Sequence, residues 1–306
     1  MTTRFHFAGV NSATLAAATE GLPVLVTFAD VLERPGVWER ELRPRLEAGL
    51  YPDAILDSGA FSEFVRPGFR VELEDYVRFC QEFGHLFGTI VTLDDIGGDL
   101  ARTWRNTARL LEAGVDVIPV YHGREPIEVL EHYVARFPRV GLGFARDGRT
   151  IGRDQGDGLA PTEWLERALD VTERAGVEVH GFGMTRYARE LGHGRLSTTD
   201  STTWIAEYKG LRSRNATAAH TIGAGDAYLL TCGLGDEELA RLACLSYAGQ
   251  GADDELEELL EGVRGQARTF LRRFSALELA TALEAVERRF RVERPGAVDL
   301  VSHGWG

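Results

Sequence analysis

The sequence predicts an α/β fold, a (β/α)8 TIM barrel followed by a C-terminal helical extension. Short apolar runs rich in β-branched residues alternate with segments of helical spacing along the first 200 of 306 residues, which is the pattern of βα units around a parallel sheet. Eight such runs can be counted, the number of strands in the barrel, and polar side chains end several of them, where barrel enzymes assemble their sites. An open, doubly wound sheet shows the same alternation, so the pattern alone leaves closure undecided.

The predicted strands and helices follow one another with short connections. The strands span residues 5–9, 23–28, 54–58, 89–94, 117–122, 140–144, 177–183 and 196–200. Helical spacing is clearest in residues 37–48, 73–82, 100–112, 127–136 and 162–174. Several of these helices end in Ala-Gly, where glycine can adopt the left-handed conformation that closes a helix.

The pattern changes after the eighth strand and predicts helix after helix from about residue 236 to residue 290. We therefore expect two domains, a catalytic barrel core over residues 1–205 and a mainly helical extension over residues 206–306. The extension carries a basic stretch, residues 264–294, that could favour a phosphate backbone or form an ordinary solvated helix face. Loop 146–158, rich in Gly, Asp and Arg, is a candidate lid over the barrel.

Charge and cysteine content exclude several classes of protein. Asp and Glu number 47 against 34 Lys and Arg, a net charge of −13, which argues against a protein that coats nucleic acid generally. Cys80, Cys232 and Cys244 are too few and too widely spaced for a disulfide framework. Because no apolar run is long enough to cross a bilayer, we expect a cytoplasmic protein with no membrane partner.

Two strand ends carry the strongest chemical signals. Asp57 ends an apolar strand and is followed by Ser-Gly-Ala-Phe, and such small residues let a flat ligand approach the backbone. Asp200 ends the last strand among Ser and Thr hydroxyls, which could keep a carboxylate nucleophile ionised. Each carboxylate could instead cap the turn or helix that follows it.

Four further strand ends add polar or glycine-rich segments. They hold Asp94 with Asp95, His122, Gly141 with Gly143, and His180 with Gly183. The histidines are equally consistent with buried, hydrogen-bonded core residues, since neither has a partner at metal-ligand spacing.

Taken in order, these segments resemble the transglycosylases that exchange guanine for a 7-deazaguanine base, over roughly residues 23–204. The similarity is greatest, through Asp-Ser-Gly-Ala-Phe and Asp-Ser-Thr-Thr-Trp, to the short phage and bacterial members that act on DNA. The resemblance implies that Asp57 is the general acid and base and that Asp200 is the nucleophile of a covalent glycosyl-enzyme. It also implies a base pocket formed by Ser58, Gly59, Phe61, Asp94, Asp95, His122, Gly141, Gly143, His180 and Gly183.

The function that this resemblance implies is that of a pentosyltransferase. Asp200 attacks the anomeric carbon of a guanosine or deoxyguanosine, Asp57 protonates the departing guanine, and a base of the preQ0 or preQ1 kind enters with net retention. The expected partners are the 7-deazaguanine base and DNA, with a homodimer also compatible with the sequence. The tRNA-acting members hold a structural zinc on clustered cysteines, which this chain lacks, so we expect neither a metal nor a cofactor.

Three alternatives remain open from the sequence. The same exchange could use tRNA or a free nucleoside or nucleotide as donor, and the net negative charge favours a small donor. A Gly-Ala-Gly-Asp segment, residues 223–226, resembles the signature of ribokinase-type sugar kinases, in which a helix N-terminus holds a phosphoryl group. The chain could also be an inactive partner subunit that keeps the fold.

Overall fold

The computed structural model describes residues 3–143, 161–184, 194–202, 204–205, 208–209 and 236–248. The chain divides into two compact units, Met1–Thr202 and Thr203–Gly306. The first unit contains eight parallel strands with helices between them, so the predicted TIM-barrel fold is confirmed.

The strands lie close to their predicted positions. They are β1 (Arg4–Ala8), β2 (Val24–Thr27), β3 (Ala54–Asp57), β4 (Thr89–Ile90), β5 (Val120–Tyr121), β6 (Arg139–Gly143), β7 (Glu178–Phe182) and β8 (Thr198–Ser201). Their spatial order is β4-β3-β2-β1-β8-β7-β6-β5, and each listed neighbour pair is parallel.

The barrel closes between β4 and β5 through one short seam. Val91 pairs with Ile118 as an isolated parallel bridge, and the N–H of Ile118 donates to the carbonyl of Ile90 at 2.9 Å. β4 and β5 are each only two residues long, against six predicted for each.

Helices cover the outside of the strands. They are α1 (Ala13–Ala18), α2 (Phe28–Glu33), α3 (Pro35–Val37), a π-helical turn (Trp38–Leu42), α4 (Arg43–Glu47), α5 (Ala60–Val65), α6 (Leu73–Phe83), a 3-10 turn (Gly84–Leu86), α7 (Leu100–Glu112), α8 (Ile127–Val134) and α9 (Pro161–Ala175).

The predicted helix 37–48 is the one that differs most in form. It is interrupted by the π-helical turn immediately before Pro44. Because proline cannot donate to the carbonyl four residues earlier, the regular α-helical ladder is broken there and a wider turn is tolerated.

Two apolar layers hold the barrel together. Inside the strands, Ala8, Leu25, Ile55, Val91 and Val120 pack with Ile118 and with the partly buried Phe182. A second cluster lies between the β5–β8 strands and helices α8 and α9, and includes Leu142, Leu165 and Leu169, all at most 1% exposed. Burial of this kind is the main favourable contribution to folding, and it fixes which strand residues point into the barrel.

The second unit is described only in part. Its helix α10 (Asp236–Ala248) buries Leu239, Ala240, Ala243 and Cys244. This helix begins at the residue from which the sequence pattern predicts the helical segment.

We expect Gly141→Ala to destabilise the protein by about 1–3 kcal/mol, the usual cost of overpacking a core. Gly141 has no left-handed backbone angle, but an added Cβ would lie 2.6 Å from the Phe182 ring and 3.0 Å from Val120. Gly88→Ala is the matched control, since its Cβ would meet nothing closer than 3.5 Å. Urea unfolding measures both variants, and equal losses of stability would contradict a filled barrel interior at β6.

Candidate active site

The carboxyl ends of the strands bring four titratable side chains to one rim of the barrel. Asp57 ends β3, Asp94 follows β4, His122 follows β5, and Asp200 lies in β8. Parallel strands of a barrel share one such rim, where barrel enzymes carry their catalytic groups. The structure therefore places the two predicted catalytic carboxylates, Asp57 and Asp200, at the same end of the barrel.

Asp57 is held in position by its own turn and by the neighbouring strand. Its Oδ2 accepts a hydrogen bond from the N–H of Gly59 at 3.1 Å, and the Thr27 hydroxyl beside it on β2 also hydrogen-bonds to it. Burial first, and then the negative charges of Asp94 and Asp200, raise the pKa of Asp57 to about 7 against these hydrogen bonds. Asp57 can therefore carry a proton near neutral pH.

His122 lies between two carboxylates. Its Nε2 is 3.1 Å from Asp94 Oδ2, and its Nδ1 is 3.6 Å from Glu125 Oε1, with all three side chains at most 6% exposed. Burial alone would lower the pKa of His122, but Asp94 and Glu125 outweigh it and raise that pKa. Burial raises the pKa of Asp94, against the attraction of His122. Asp94 and His122 thus share a proton, and either side chain can donate it to a bound molecule.

Asp200 is anchored by the strand next to it. Its Oδ1 accepts a hydrogen bond from the N–H of Gly183 at 2.9 Å and lies 3.4 Å from Nε2 of His180. Gly183 has a φ of 64°, a left-handed backbone angle that favours glycine. The tight turn after β7 thereby aims an amide at the carboxylate.

Asp95 has a structural role in the turn after β4. Its Oδ2 is 2.9 Å from Arg102 of α7, and its N–H donates to the hydroxyl of Thr103. Arg102 also reaches Glu63 of α5 at 2.6 Å. Of the predicted Asp94–Asp95 pair, Asp94 therefore lies beside His122 at the rim, whereas Asp95 anchors Arg102 of α7, which in turn binds Glu63 of α5.

A cavity of about 430 Å³ opens beside Asp94. It lies between α5, the loop that follows α5, and the turn after β4, and its size falls in the range of small-molecule sites. Its lining combines three carboxylates, three guanidinium groups and apolar side chains: Glu63, Asp94, Asp95, Arg66, Arg70, Arg102, Ala60, Phe64, Pro67, Gly68, Phe69, Ile96 and Gly97.

The predicted glycines of β6 make room for the protein's own side chains. A Cβ at Gly141 would meet Phe182, and a Cβ at Gly143 would lie 2.9 Å from the ring of His122. Both positions therefore allow inward groups of the neighbouring strands to cross the barrel.

The other predicted pocket residues have local roles or lie elsewhere. Ser58 is fully buried and its hydroxyl accepts from the N–H of Ala60. Gly59, with a φ of 85°, approaches Ala29 so closely that a Cβ would lie 2.9 Å from its methyl group. Phe61 is 44% exposed on α5 and does not line the cavity. His180 lies below the rim and is fully buried.

Several residues of the site are not predicted by the sequence pattern. Glu125 contacts His122 from a loop, and Thr27, Glu63 and Arg102 come from three other elements. Of these residues, only Glu125 could have been found from the sequence, because it lies three residues after His122. Three predicted features, loop 146–158, the segment 223–226 and the basic stretch 264–294, lie outside the described residues.

Within the described part of the chain, no three His, Cys, Asp or Glu side chains are grouped so that they could hold a metal ion. No described helix has both the length and the apolar character needed to cross a membrane.

Comparisons with known proteins give one named structural neighbour. No family model matches the chain, and no curated protein matches it. Among the solved structures, a Coccidioides immitis protein described as a "putative fructose-1,6-biphosphate aldolase" is 13% identical, with 88% of this chain and 92% of that chain covered and a TM-score of 0.49. Similarity at this level carries no information about activity.

The prediction that this chain exchanges guanine for another base needs correction. No family model matches the chain, that of the transglycosylases included, so the assignment is wrong and the pentosyltransferase class loses its support. The physical reason is that the motifs are short turns at strand ends, where a carboxylate accepts a nearby backbone N–H, as Asp57 does from Gly59 and Asp200 from Gly183; such turns can serve many reactions at a barrel rim and do not specify base exchange. The expected partners, a 7-deazaguanine base, DNA and a second copy of the chain, stay predictions from the sequence alone.

We expect Asp57→Asn to flatten the dependence of stability on pH. In the folded protein the pKa of Asp57 is about 7, against an ordinary value of 3.8, so the stability of the wild type falls as the pH rises from about 4 to about 7. This loss is at most about 4 kcal/mol. Urea unfolding at pH 5 and pH 8 measures it, with the exposed Asp116→Asn as control. A wild-type pH dependence retained in Asp57→Asn would contradict the elevated pKa.

We expect Glu125→Gln to lower the pKa of His122, because the variant removes one of the two carboxylates that raise it. The pKa is followed by NMR of the imidazole nitrogens during a pH titration. Glu128→Gln, an exposed change on α8, should leave that pKa where it is. An unchanged titration of His122 in Glu125→Gln would show that the ion pair does not hold its charge.

Proposed function

We propose that the chain is an acid–base enzyme that moves a proton between carbon and oxygen next to a carbonyl group of a small, uncharged, polar substrate. The observation that carries this proposal is the raised pKa of Asp57, about 7, at a rim that it shares with Asp200. A group that titrates near the working pH is the most effective proton donor and acceptor.

The acid side of the reaction is assigned to Asp57, supported by the Asp94–His122 pair. A neutral Asp57 carboxyl donates its proton to the carbonyl oxygen of the substrate. The proton held by Asp94 and His122 is available to stabilise negative charge that develops on a second oxygen.

The base side is assigned to Asp200. Its carboxylate accepts a hydrogen bond from the backbone of Gly183 and so keeps a fixed position while it acts. In the forward step Asp200 takes the proton from carbon, Asp57 protonates the carbonyl oxygen, and an enol or enediol forms. Asp200, its proton exchanged with solvent, then protonates the same or the adjacent carbon while Asp57 takes back a hydroxyl proton, which re-forms a carbonyl and completes exchange or isomerisation.

An amine nucleophile on a strand is excluded by the sequence. Schiff-base chemistry needs a lysine amine at the reacting carbon, and the only lysine among the 306 residues is Lys209, which follows the eighth strand. The chemistry that the rim offers is therefore proton transfer by carboxyl and imidazole groups.

The charges of the cavity beside Asp94 support an uncharged substrate, although neither Asp57 nor Asp200 lines that cavity. Its three guanidinium groups are already compensated: Arg102 binds Glu63 and Asp95, Arg66 binds Glu33, and Arg70 lies 3.7 Å from Glu63. A phosphorylated substrate would need a cation that is free to bind it. Paired charges beside Phe64 and Phe69 instead suit a ligand with several hydroxyl groups and some apolar surface.

The test is hydrogen exchange into neutral aldoses and ketoses in D2O, observed by proton NMR. The wild type should replace hydrogen by deuterium at the carbon next to the carbonyl, and Asp57→Asn and Asp200→Asn should each slow the exchange by at least about 100-fold, the usual contribution of general acid–base catalysis. Asp116→Asn, an exposed carboxylate, should retain the wild-type rate.

Two outcomes would overturn the proposal. One is the absence of exchange in every neutral sugar tested together with exchange in their phosphate esters, which would reject the substrate class. The other is wild-type exchange by Asp57→Asn, which would remove the acid from the mechanism.

A further inference from the structure

His180 is a buried titratable side chain that the proposed proton transfer does not use. It lies on β7 inside the barrel, has no exposed surface and faces Asp200 of β8. Each nitrogen of a neutral imidazole is either a donor or an acceptor, and a buried nitrogen without a matching partner costs free energy. The groups around the ring therefore decide what His180 can do for Asp200.

The register of β7 and β8 places the ring of His180 between two residues of β8. His180 pairs directly with Thr198, so both side chains point to the same side of the sheet. Asp200 follows two residues later, and it points to that side as well because side chains alternate along a strand. Nδ1 of His180 is 2.8 Å from the hydroxyl oxygen of Thr198, and Nε2 is 3.4 Å from Oδ1 of Asp200. One imidazole thereby reaches a hydroxyl and a carboxylate on the same strand.

The other neighbours of His180 pack against its ring. On β6 its partner in register is Gly141, which has no side chain to compete for the space. The ring of Phe182 meets that of His180 edge to face, with the centroids 4.4 Å apart. The ring of His6 lies 5.8 Å away, and its Nε2 is 3.3 Å from Oδ2 of Asp53, the residue before β3. These contacts hold the ring by packing, while its two nitrogens face β8.

The carboxylate of Asp200 decides which nitrogen of His180 carries the proton. An ionised carboxylate only accepts hydrogen bonds, whereas a hydroxyl can donate or accept. With its proton on Nε2, His180 donates to Asp200 and receives the hydroxyl proton of Thr198 at Nδ1. With its proton on Nδ1, the ring would turn a lone pair toward the negative Oδ1. Only the first arrangement satisfies all three side chains.

The electrostatic surroundings keep the ring of His180 neutral. Burial lowers its pKa, and His6 of β1 and Arg139 of β6 lower that pKa further, against the hydrogen bond and the negative charge of Asp200. A neutral ring carries a single N–H, so the choice between the two nitrogens determines whether His180 donates to Asp200 or competes with it for a proton.

We propose that His180 is a positioning residue for the base Asp200, with the Thr198 hydroxyl holding Nδ1 and the proton on Nε2 donated to Oδ1 of the carboxylate. This inference rests on the proposed function, in which Asp200 takes a proton from carbon. The N–H of Gly183 reaches the same oxygen at 2.9 Å, so two donors fix one end of the carboxylate. A separation of 3.4 Å is long for a hydrogen bond, and contacts between catalytic groups commonly shorten when substrate binds.

The arrangement also protects the proton that Asp200 collects. A histidine with a lone pair on Nε2 would compete for that proton at short range. In the proposed tautomer Nε2 already carries hydrogen, and Nδ1 accepts from Thr198. Asp200 therefore keeps the proton that it must return to the substrate in the second half of the reaction.

The tautomer is measured without substrate, by two-bond 1H–15N NMR of the full-length protein labelled with 15N-histidine at neutral pH. His180→Gln assigns the His180 signals. The wild type should carry hydrogen on Nε2 and none on Nδ1. The Nδ1 signal should move in Thr198→Val, which keeps the shape of threonine without its hydroxyl, and should stay close to its wild-type position in Thr198→Ser. Hydrogen on Nδ1 with a bare Nε2 would overturn the proposal.

The positioning role is measured by deuterium exchange at varied concentrations of the neutral sugar. Thr198→Val and His180→Phe should each lower kcat about tenfold, the usual effect of losing one hydrogen bond. KM should be unchanged, because both residues lie below the rim. Thr198→Ser should retain most of the wild-type rate. Thr199→Val is the matched control and should keep wild-type kinetics, since the hydroxyl it removes bonds to the carbonyl of Gly181 instead.

Two results separate this inference from the proposed function. Wild-type kcat in folded Thr198→Val and His180→Phe would overturn the positioning role and leave the proposed function standing. The predicted tautomer without deuterium exchange in any sugar would reject the proposed function, and with it the catalytic purpose of His180. The hydrogen-bonded array of Thr198, His180 and Asp200 would then be confirmed as a structural feature alone.

Discussion

The burial of carboxylates at one end of a closed parallel barrel is the constraint on which the rest of the site depends. Asp57, Asp94 and Asp200 share this rim, and each lies where water is largely replaced by protein. An isolated buried charge is costly, so such groups must be neutralised by protons, hydrogen bonds or partners of opposite charge. The three carboxylates meet this requirement in three different ways, and the differences create distinct chemical roles.

Asp57 meets the requirement by holding a proton, Asp94 by pairing with His122, and Asp200 by accepting the amide of Gly183. Carboxylates of the same chemical type are thereby separated into a donor, a proton-sharing pair and an acceptor. This separation by environment is the usual origin of acid and base roles in one site. The barrel provides these different environments because neighbouring strands place a turn amide, a hydroxyl or an imidazole beside each carboxylate.

Below the rim the barrel interior holds polar as well as apolar side chains. Between β2 and β6, Leu25, Ile55, Ile118 and Val120 fill the interior. On the side of β1, β7 and β8, the interior holds His6, His180 and Thr198. Apolar side chains of similar volume often replace buried polar groups without loss of stability, so packing alone does not explain why the histidines are there.

The eight strands and the order of the helices follow from the sequence, because apolar periodicity is a local property and parallel strands buried on both faces show continuous apolar runs. The carboxylates at the strand ends, Asp57 and Asp200, are visible for the same reason. Closure at the Val91–Ile118 seam, the contact of Glu125 with His122, and the bridge from Glu63 through Arg102 to Asp95 were decided by the tertiary structure. These features depend on which strands and loops become neighbours in space. They also depend on the shear of the barrel, which sets His6 level with both Asp53 and Asp200. No local pattern of residues encodes the spatial neighbours or the shear.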